Sequence, residues 1–345
     1  MMVLRALRRA ASVRRRPRAR RLAASEDVFD RALKMRHRDA AAGAADSAVY
    51  DYLRRTVAQR VVERLHDVLQ QFETVLDVGC HTGHVRRALN ADMLDGVCAG
   101  GVRHLIQCDA SRGAVSESAR REAEEGPSAL ETSEHLVADE EELPFRSGIF
   151  DAVVSSLALH WVLRPDGVFI CALLGAGTLG ELQHAFAAAE EERTGGLSAH
   201  ASPSTRISDC GMLLQGAGFK LITVDIDQVV VRRRVEYADA FVLFDDLQRM
   251  GEQHAPVTSR ARNVSRDTFL AMAAAYQASS GMATVKATFE VIYLIGWAPH
   301  AAQPKAMARG GAARGFGQLK PGGPPGDGLP PGDDDPPDDG EARHL

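Results

Sequence analysis

The stretch Val75 to His84, VLDVGCHTGH, constrains this chain more than any other. A short β-branched run closes on an acid, and Gly79 and Gly83 follow it. Segments of this kind favour a strand, and a glycine-containing turn lets the chain double back into a helix whose N-terminus faces the strand's carboxyl end. Three further apolar runs, Val102 to Cys108, FDAVVSSLAL from Phe150 and GVFICALL from Gly167, are separated by loops and helical patterns. Together they predict an α/β protein with a doubly wound parallel sheet. Ahead of the motif, Leu53, Val57, Val61, Leu65 and Val68 recur at helical spacing, so Ala45 to Leu69 is expected to be a helix entering the sheet. Beyond Thr178 the pattern turns to Ala-rich helices, Leu179 to Glu192 and Arg266 to Ala278. Strands expected at Lys220 to Val231 and Thr288 to Ile295 would close the sheet as an antiparallel pair, with a helical cap over about residues 178–285.

The two ends differ from this body. Residues 1–25 hold nine arginines and no acid, so the net charge of −5 becomes −14 once they are set aside. Arginines interleaved with Leu, Val and Ala, with no long apolar stretch, are expected to form a mitochondrial transit peptide. The rival, a basic arm for nucleic acid, uses the same charges, and the transit reading leaves no nucleic-acid partner. From Gln303 to Leu345 the chain is rich in Pro, Gly and Asp, has few side chains to bury and is expected to be disordered. Residues 26–302 are left as the folded domain. Five cysteines without a C-x-x-C pair indicate neither a disulfide framework nor a zinc site and suit a reducing compartment.

Within that domain, acids fall at successive strand ends. Asp77 can receive an amino group. The backbone N–H groups of the Gly79, Cys80, Gly83 turn are expected to face a bound polar group. Asp109, followed by Ala110, lies about one βαβ step downstream, where a carboxylate accepts ribose hydroxyls. Asp139 and Glu140 precede a Leu-Pro-Phe turn and can accept from an adenine amino group. An amino group, a ribose and an adenine describe S-adenosylmethionine. A dinucleotide would need the G-x-G-x-x-G fingerprint, which is absent. Tyr52, on the entering helix, either covers the ligand or packs. His160 and Trp161 follow the fourth strand, where Trp161 can face a sulfonium and His160 can act as a base, or the two simply close the site as a packed pair.

The chain resembles the class I S-adenosylmethionine methyltransferases, with a Rossmann-like sheet, and among them the mitochondrial complex I assembly factor 5 family of arginine hydroxylases. The resemblance runs from about Asp27 to Trp297. It rests on VFDRALKMRHRDAAA (Val28 to Ala42), YDYLR (Tyr50 to Arg54), LVADEEELPF (Leu136 to Phe145), SSLALHWV (Ser155 to Val162), LRPDGVFI (Leu163 to Ile170), SAHASPST (Ser198 to Thr205), VDID at Val224 and IYLIGW (Ile292 to Trp297). It implies hydroxylation of an arginine on a complex I subunit in the matrix, with peripheral attachment to the inner membrane and other assembly factors as further partners. The residues alone would indicate a methyltransferase, for example a carboxyl methyltransferase of the biotin-pathway type, and a non-catalytic assembly factor is the third reading.

Three departures from the family pattern stand out. His81 replaces the middle glycine of the turn and is expected to point to solvent rather than to ligate a metal. Asp95 to His104 is longer than in the family and is expected to be a surface insertion. Val162 runs directly into Leu163, leaving ten residues between Ser156 and Gly167, too few for a helical crossover between parallel strands. Either a segment has been skipped or this protein has lost part of its sheet cover, and apolar strand residues are then expected to be exposed. His37-Arg38-Asp39, an H-x-D in a basic linker, is not expected to bind metal, and no two-His-one-carboxylate signature is evident.

Overall fold

The structure, a computed structural model, describes residues 30–299 apart from 69, 94–95, 127, 141, 147, 159–167, 197–204, 231–236, 253–263 and 281–283. The arginine-rich start, the Pro/Gly-rich tail, His160 and Trp161 lie outside the described residues.

The apolar runs form the strands they predict: β1 (Thr74–Val78), β2 (His104–Asp109), β4 (Ala152–Ser156) and β5 (Val168–Leu174). With β3 (Thr132–Val137), β6 (Lys220–Val230) and β7 (Thr288–Trp297) they make a seven-stranded sheet in the order β3-β2-β1-β4-β5-β7-β6. The first five strands are parallel, and β7 runs antiparallel to both β5 and β6. The strand order reverses between β1 and β4, which opens a crevice outside the carboxyl ends of the strands. β3 carried no signal in the sequence because TSEHLV, at the sheet's edge, is half-buried and mostly polar.

Both faces of the sheet are covered. On one, Val57, Val61 and Leu65 of α2 (Tyr52–His66) join Val75, Ala152, Val154 and Ile170 in the larger core cluster. On the other, Leu76, Val153, Phe169 and Cys171 cluster with Cys210 and Leu214 of α6 (Ile207–Gly216) and with Phe219. The exposed strand residues expected from the short β4–β5 connection are therefore not found: Val153 and Phe169 are 4% and 6% exposed, and the Phe169 ring lies 5.7 Å from that of Phe219. β4 and β5 remain neighbours in register from Ala152↔Val168 to Ser156↔Ala172, while the connection itself lies outside the described residues.

Other expectations are corrected. The basic linker is a helix, α1 (Arg31–Gly43), started by the Asp30 carboxylate accepting from Leu33 N and seated by the small residues Ala41 and Ala42. The entering helix begins at Tyr52, after a 3-10 turn at Ser47–Val49. The insertion at 95–104 is only partly superficial, since Cys98, Ala99 and Val102 belong to the core cluster. α3 (His84–Ala91) follows β1 and α4 (Arg112–Glu125) follows β2. α5 (Gly180–Thr194), α7 (Ala240–Arg249) and α8 (Arg266–Ser280), in the range expected to form a cap, meet through Phe186, Phe244 and Phe269, and their apolar residues join the larger core cluster with the strands. α6 joins the other cluster, on the opposite face.

Candidate functional site

The turn after β1 is shaped by close packing. Gly79 has φ +72°, and a Cβ there would lie 2.0 Å from that of Ala158, so the position admits only glycine. Gly83, at φ +82°, starts α3, and its Cβ would come within 2.5 Å of Ser118 Oγ on α4. The expectation that the turn's amides face a ligand is corrected. Gly79 N and Cys80 N both donate to Cys108 O at 2.8 and 3.0 Å, His81 N donates to Asp109 Oδ2 at 3.1 Å and Gly83 N to Cys80 O at 3.0 Å. Those four donors are satisfied internally and offer no cradle for a pyrophosphate. Cys80 is buried, its Sγ lying 3.6 Å from His81 O, and burial pushes its thiol well up.

What the strand ends leave available is a carboxylate. Asp77 is fully buried, and neither of its oxygens has a hydrogen-bond partner among the described residues. Burial, and after it the negative Asp109, pushes Asp77 up to about 8. A buried acid without a partner carries the full cost of its lost hydration, and a bound cationic group would remove that cost. Asp109, also fully buried, accepts from Ser111 N at 2.8 Å in addition to His81 N. The acid pair after β3 divides. Glu140 is buried and accepts from Ala110 N at 3.3 Å, whereas Asp139 lies at the rim with Arg31 Nη2 at 2.7 Å.

The arginines around these acids were not foreseen. Arg38 of α1, 9% exposed, lies 3.1 Å from Glu140 Oε1 and 3.5 Å from Asp109 Oδ1. Arg54 of α2 donates to Met250 O at 2.9 Å and to Glu252 at 2.5 Å. Asp39 caps α4, accepting from Ser111 Oγ at 2.5 Å and Gly113 N at 2.9 Å. The available signal was the seven-residue spacing of Arg31 and Arg38, which places both on one side of a helix. Tyr52 packs against the larger core cluster, its hydroxyl 2.6 Å from that of Tyr237, and burial pushes it up to about 12.

His81 does not point to solvent. It is 7% exposed, held at φ +49°, and its Nε2 has no partner among the described residues. Its ring stacks on that of His84 with centroids 5.9 Å apart. Asp51, His81 and His84 each offer a donor atom, and these atoms lie within 4.8 Å of one another. Burial lowers both imidazoles, His84 to about 4 despite the opposing pull of Asp51, so both are neutral at pH 7. The H-x-x-H of His81 and His84 was the readable part of this cluster. Asp51 joins it only through folding.

Residues 76–172 match a family described as methyltransferase domain. The chain is 40% identical to the mitochondrial arginine-hydroxylase NDUFAF5 of Danio rerio, over 85% of its own length and 89% of that protein. It is 37% identical to the protein of that name from Homo sapiens, covering 85% and 83%. A malonyl-[acyl-carrier protein] O-methyltransferase of Methylovorus sp. (strain MP688) is 30% identical, over 79% of this chain and 91% of that enzyme.

Proposed function

Because this chain belongs to the family of mitochondrial arginine-hydroxylases NDUFAF5, we propose that it binds S-adenosylmethionine at the carboxyl edge of β1 to β3 and hydroxylates an arginine of a complex I subunit, with the oxygen atom and the two-electron oxidation supplied by a separate oxidant of the dioxygen class and not by S-adenosylmethionine. The observation that carries the cofactor assignment is the buried Asp77 carboxyl, near Asp109 and without a hydrogen-bond partner among the described residues. In this reading Asp77 receives the amino group of the methionine moiety, Asp109 the ribose hydroxyls, and Glu140, with Asp139 at the rim, the adenine. Gly79, Cys80, Gly83 and Ala110 shape the wall by close backbone approach. For Trp161 and His160, which lie outside the described residues, the sequence alone carries the assignment: attraction to the sulfonium for Trp161 and the role of base for His160. Work is done in the mitochondrial matrix, peripherally on the inner membrane and among other assembly factors. Among the described residues no helix is long and apolar enough to cross a membrane.

Two measurements test this. Asp109→Ala is expected to weaken S-adenosylmethionine binding by about 1.5–3 kcal/mol, the usual loss for a hydrogen bond to a charged group. Equal calorimetric affinities of wild type and variant would remove Asp109 from the site. Mass analysis of the complex I subunit after incubation with the protein is expected to show one added oxygen on an arginine-containing peptide. The 30% identity to an O-methyltransferase makes methyl transfer the second reading. A gain of methyl selects it, and an unchanged mass selects a non-catalytic assembly role.

A further inference from the structure

In the same turn as the proposed cofactor site, but on side chains that the cofactor reading does not use, two imidazoles and a carboxylate meet in the interior. We propose that Asp51, His81 and His84 form a binding site for a divalent transition-metal ion of the class taken by mixed imidazole–carboxylate donors, such as Co²⁺, Zn²⁺ or Fe²⁺. The three donors lie within 4.8 Å of one another, a spread that one ion at ordinary bond lengths can bridge with small rotations of the side chains. All three residues are buried, at 4%, 7% and 5% exposure.

Two further observations point to a ligand. His81 Nε2 is buried and has no hydrogen-bond partner among the described residues, although a buried polar atom is costly to leave unpaired. The same residue occupies the left-handed region at φ +49°, where a side chain other than that of glycine is uncommon. Backbone strain of this kind persists where the surroundings impose it, and it gathers at binding sites.

The surroundings hold the donors in place. Arg121 Nη1 donates to Asp51 Oδ2 at 2.6 Å, leaving Oδ1 directed at His84 Nε2, 3.4 Å away. Thr82 Oγ1 lies 3.1 Å from His84 Nε2 and 3.5 Å from His81 Nδ1. Such outer contacts orient metal ligands. Four arginines near the cluster would repel a cation, but each already has a carboxylate partner. Arg121 pairs with Glu117 at 2.7 Å, Arg87 with Glu125 at 3.5 Å, Arg54 with Glu252 at 2.5 Å and Arg38 with Glu140 at 3.1 Å.

One contact opposes the ion. Arg87 Nη2 donates to His84 Nδ1 at 2.9 Å, so the imidazole proton resides on Nε2. Ligation through Nε2 requires the proton to move to Nδ1, and Arg87 must release it. Arg87 is about a quarter exposed and retains Glu125, so this release is a side-chain movement at the surface.

The test uses the full chain, stripped with chelator and titrated with Co²⁺ while its visible absorption and melting temperature are followed. A single Co²⁺ per chain, with a ligand-field band and a raised Tm, is expected. His84→Gln and His81→Gly should each weaken Co²⁺ binding by more than about tenfold. His81→Gly should keep a cooperative melt, because glycine suits the backbone angle. Arg87→Gln should tighten binding several-fold by freeing Nδ1. Absence of a saturable one-to-one Co²⁺ signal in the wild type, or an unchanged signal in His81→Gly, overturns the assignment. The Tm shift given by S-adenosylmethionine to metal-free protein is measured alongside, so failure of the cofactor reading is recorded separately from failure of the metal site.

Discussion

Asp77→Asn is expected to stabilise the ligand-free protein by about 4 kcal/mol at pH 7 and, in the same substitution, to cost it most of its affinity for S-adenosylmethionine. Asp77 is fully buried, has no hydrogen-bond partner among the described residues and is pushed up to about 8, from an ordinary 3.8. In the folded chain it therefore keeps its proton at neutral pH, whereas the unfolded chain ionises from about pH 4 upward. The folded state binds the extra proton, so stability is greatest below about pH 4 and falls as pH rises toward 8, at roughly 1.4 kcal/mol per unit. Asparagine has the shape of the protonated acid and does not titrate, so it removes this loss. Urea unfolding of both proteins from pH 4 to 8 checks it: the two should converge near pH 4 and separate steadily above. Parallel curves would show that Asp77 ionises freely and that its burial imposes no such cost. For binding, the amino group of the ligand supplies the missing positive charge, and capture should release a proton from Asp77 at pH 7. Calorimetry in buffers of different ionisation enthalpy detects that proton, and Asp77→Asn should abolish it.

Arg38→Ala should lower stability by about 3–5 kcal/mol, the range for breaking a buried ion pair from one side. Arg38 is 9% exposed and lies between Asp109 and Glu140, which are 0% and 5% exposed, so its removal leaves Asp109 without a cation and Glu140 with only Arg31 Nη2, at 3.5 Å. The penalty belongs to the stranded charges more than to the lost bonds. A triple variant, Arg38→Met with Asp109→Asn and Glu140→Gln, should accordingly recover most of the stability while still failing to bind S-adenosylmethionine. Denaturant midpoints of the single and triple variants decide the matter. If the single variant loses less than about 1 kcal/mol, the value of an exposed pair, then water reaches these carboxylates and α1 is not sealing them.

Local order was legible in the chain. Strands β1, β2, β4 and β5 are apolar runs buried on both faces, and such runs announce themselves without knowledge of their neighbours. The strand end at Asp77, the glycines at 79 and 83 and the acid at 109 are set by the same local rule, because a βαβ unit repeats at short range. β3 escaped notice because a half-exposed edge strand needs no apolar face. The sequence could show that Asp109 and Glu140 are acids at strand ends, but not that Arg38, 71 and 102 positions away, would lie between them. Neither could it show that the turn's amides would be taken up by Cys108, Cys80 and Asp109, nor that Asp51 would meet His81 and His84. Side-chain periodicity and turn chemistry act over a few residues and leave a mark in the local sequence. Partnerships between buried charges arise when separate elements pack and exclude water, and no local pattern encodes which elements will meet.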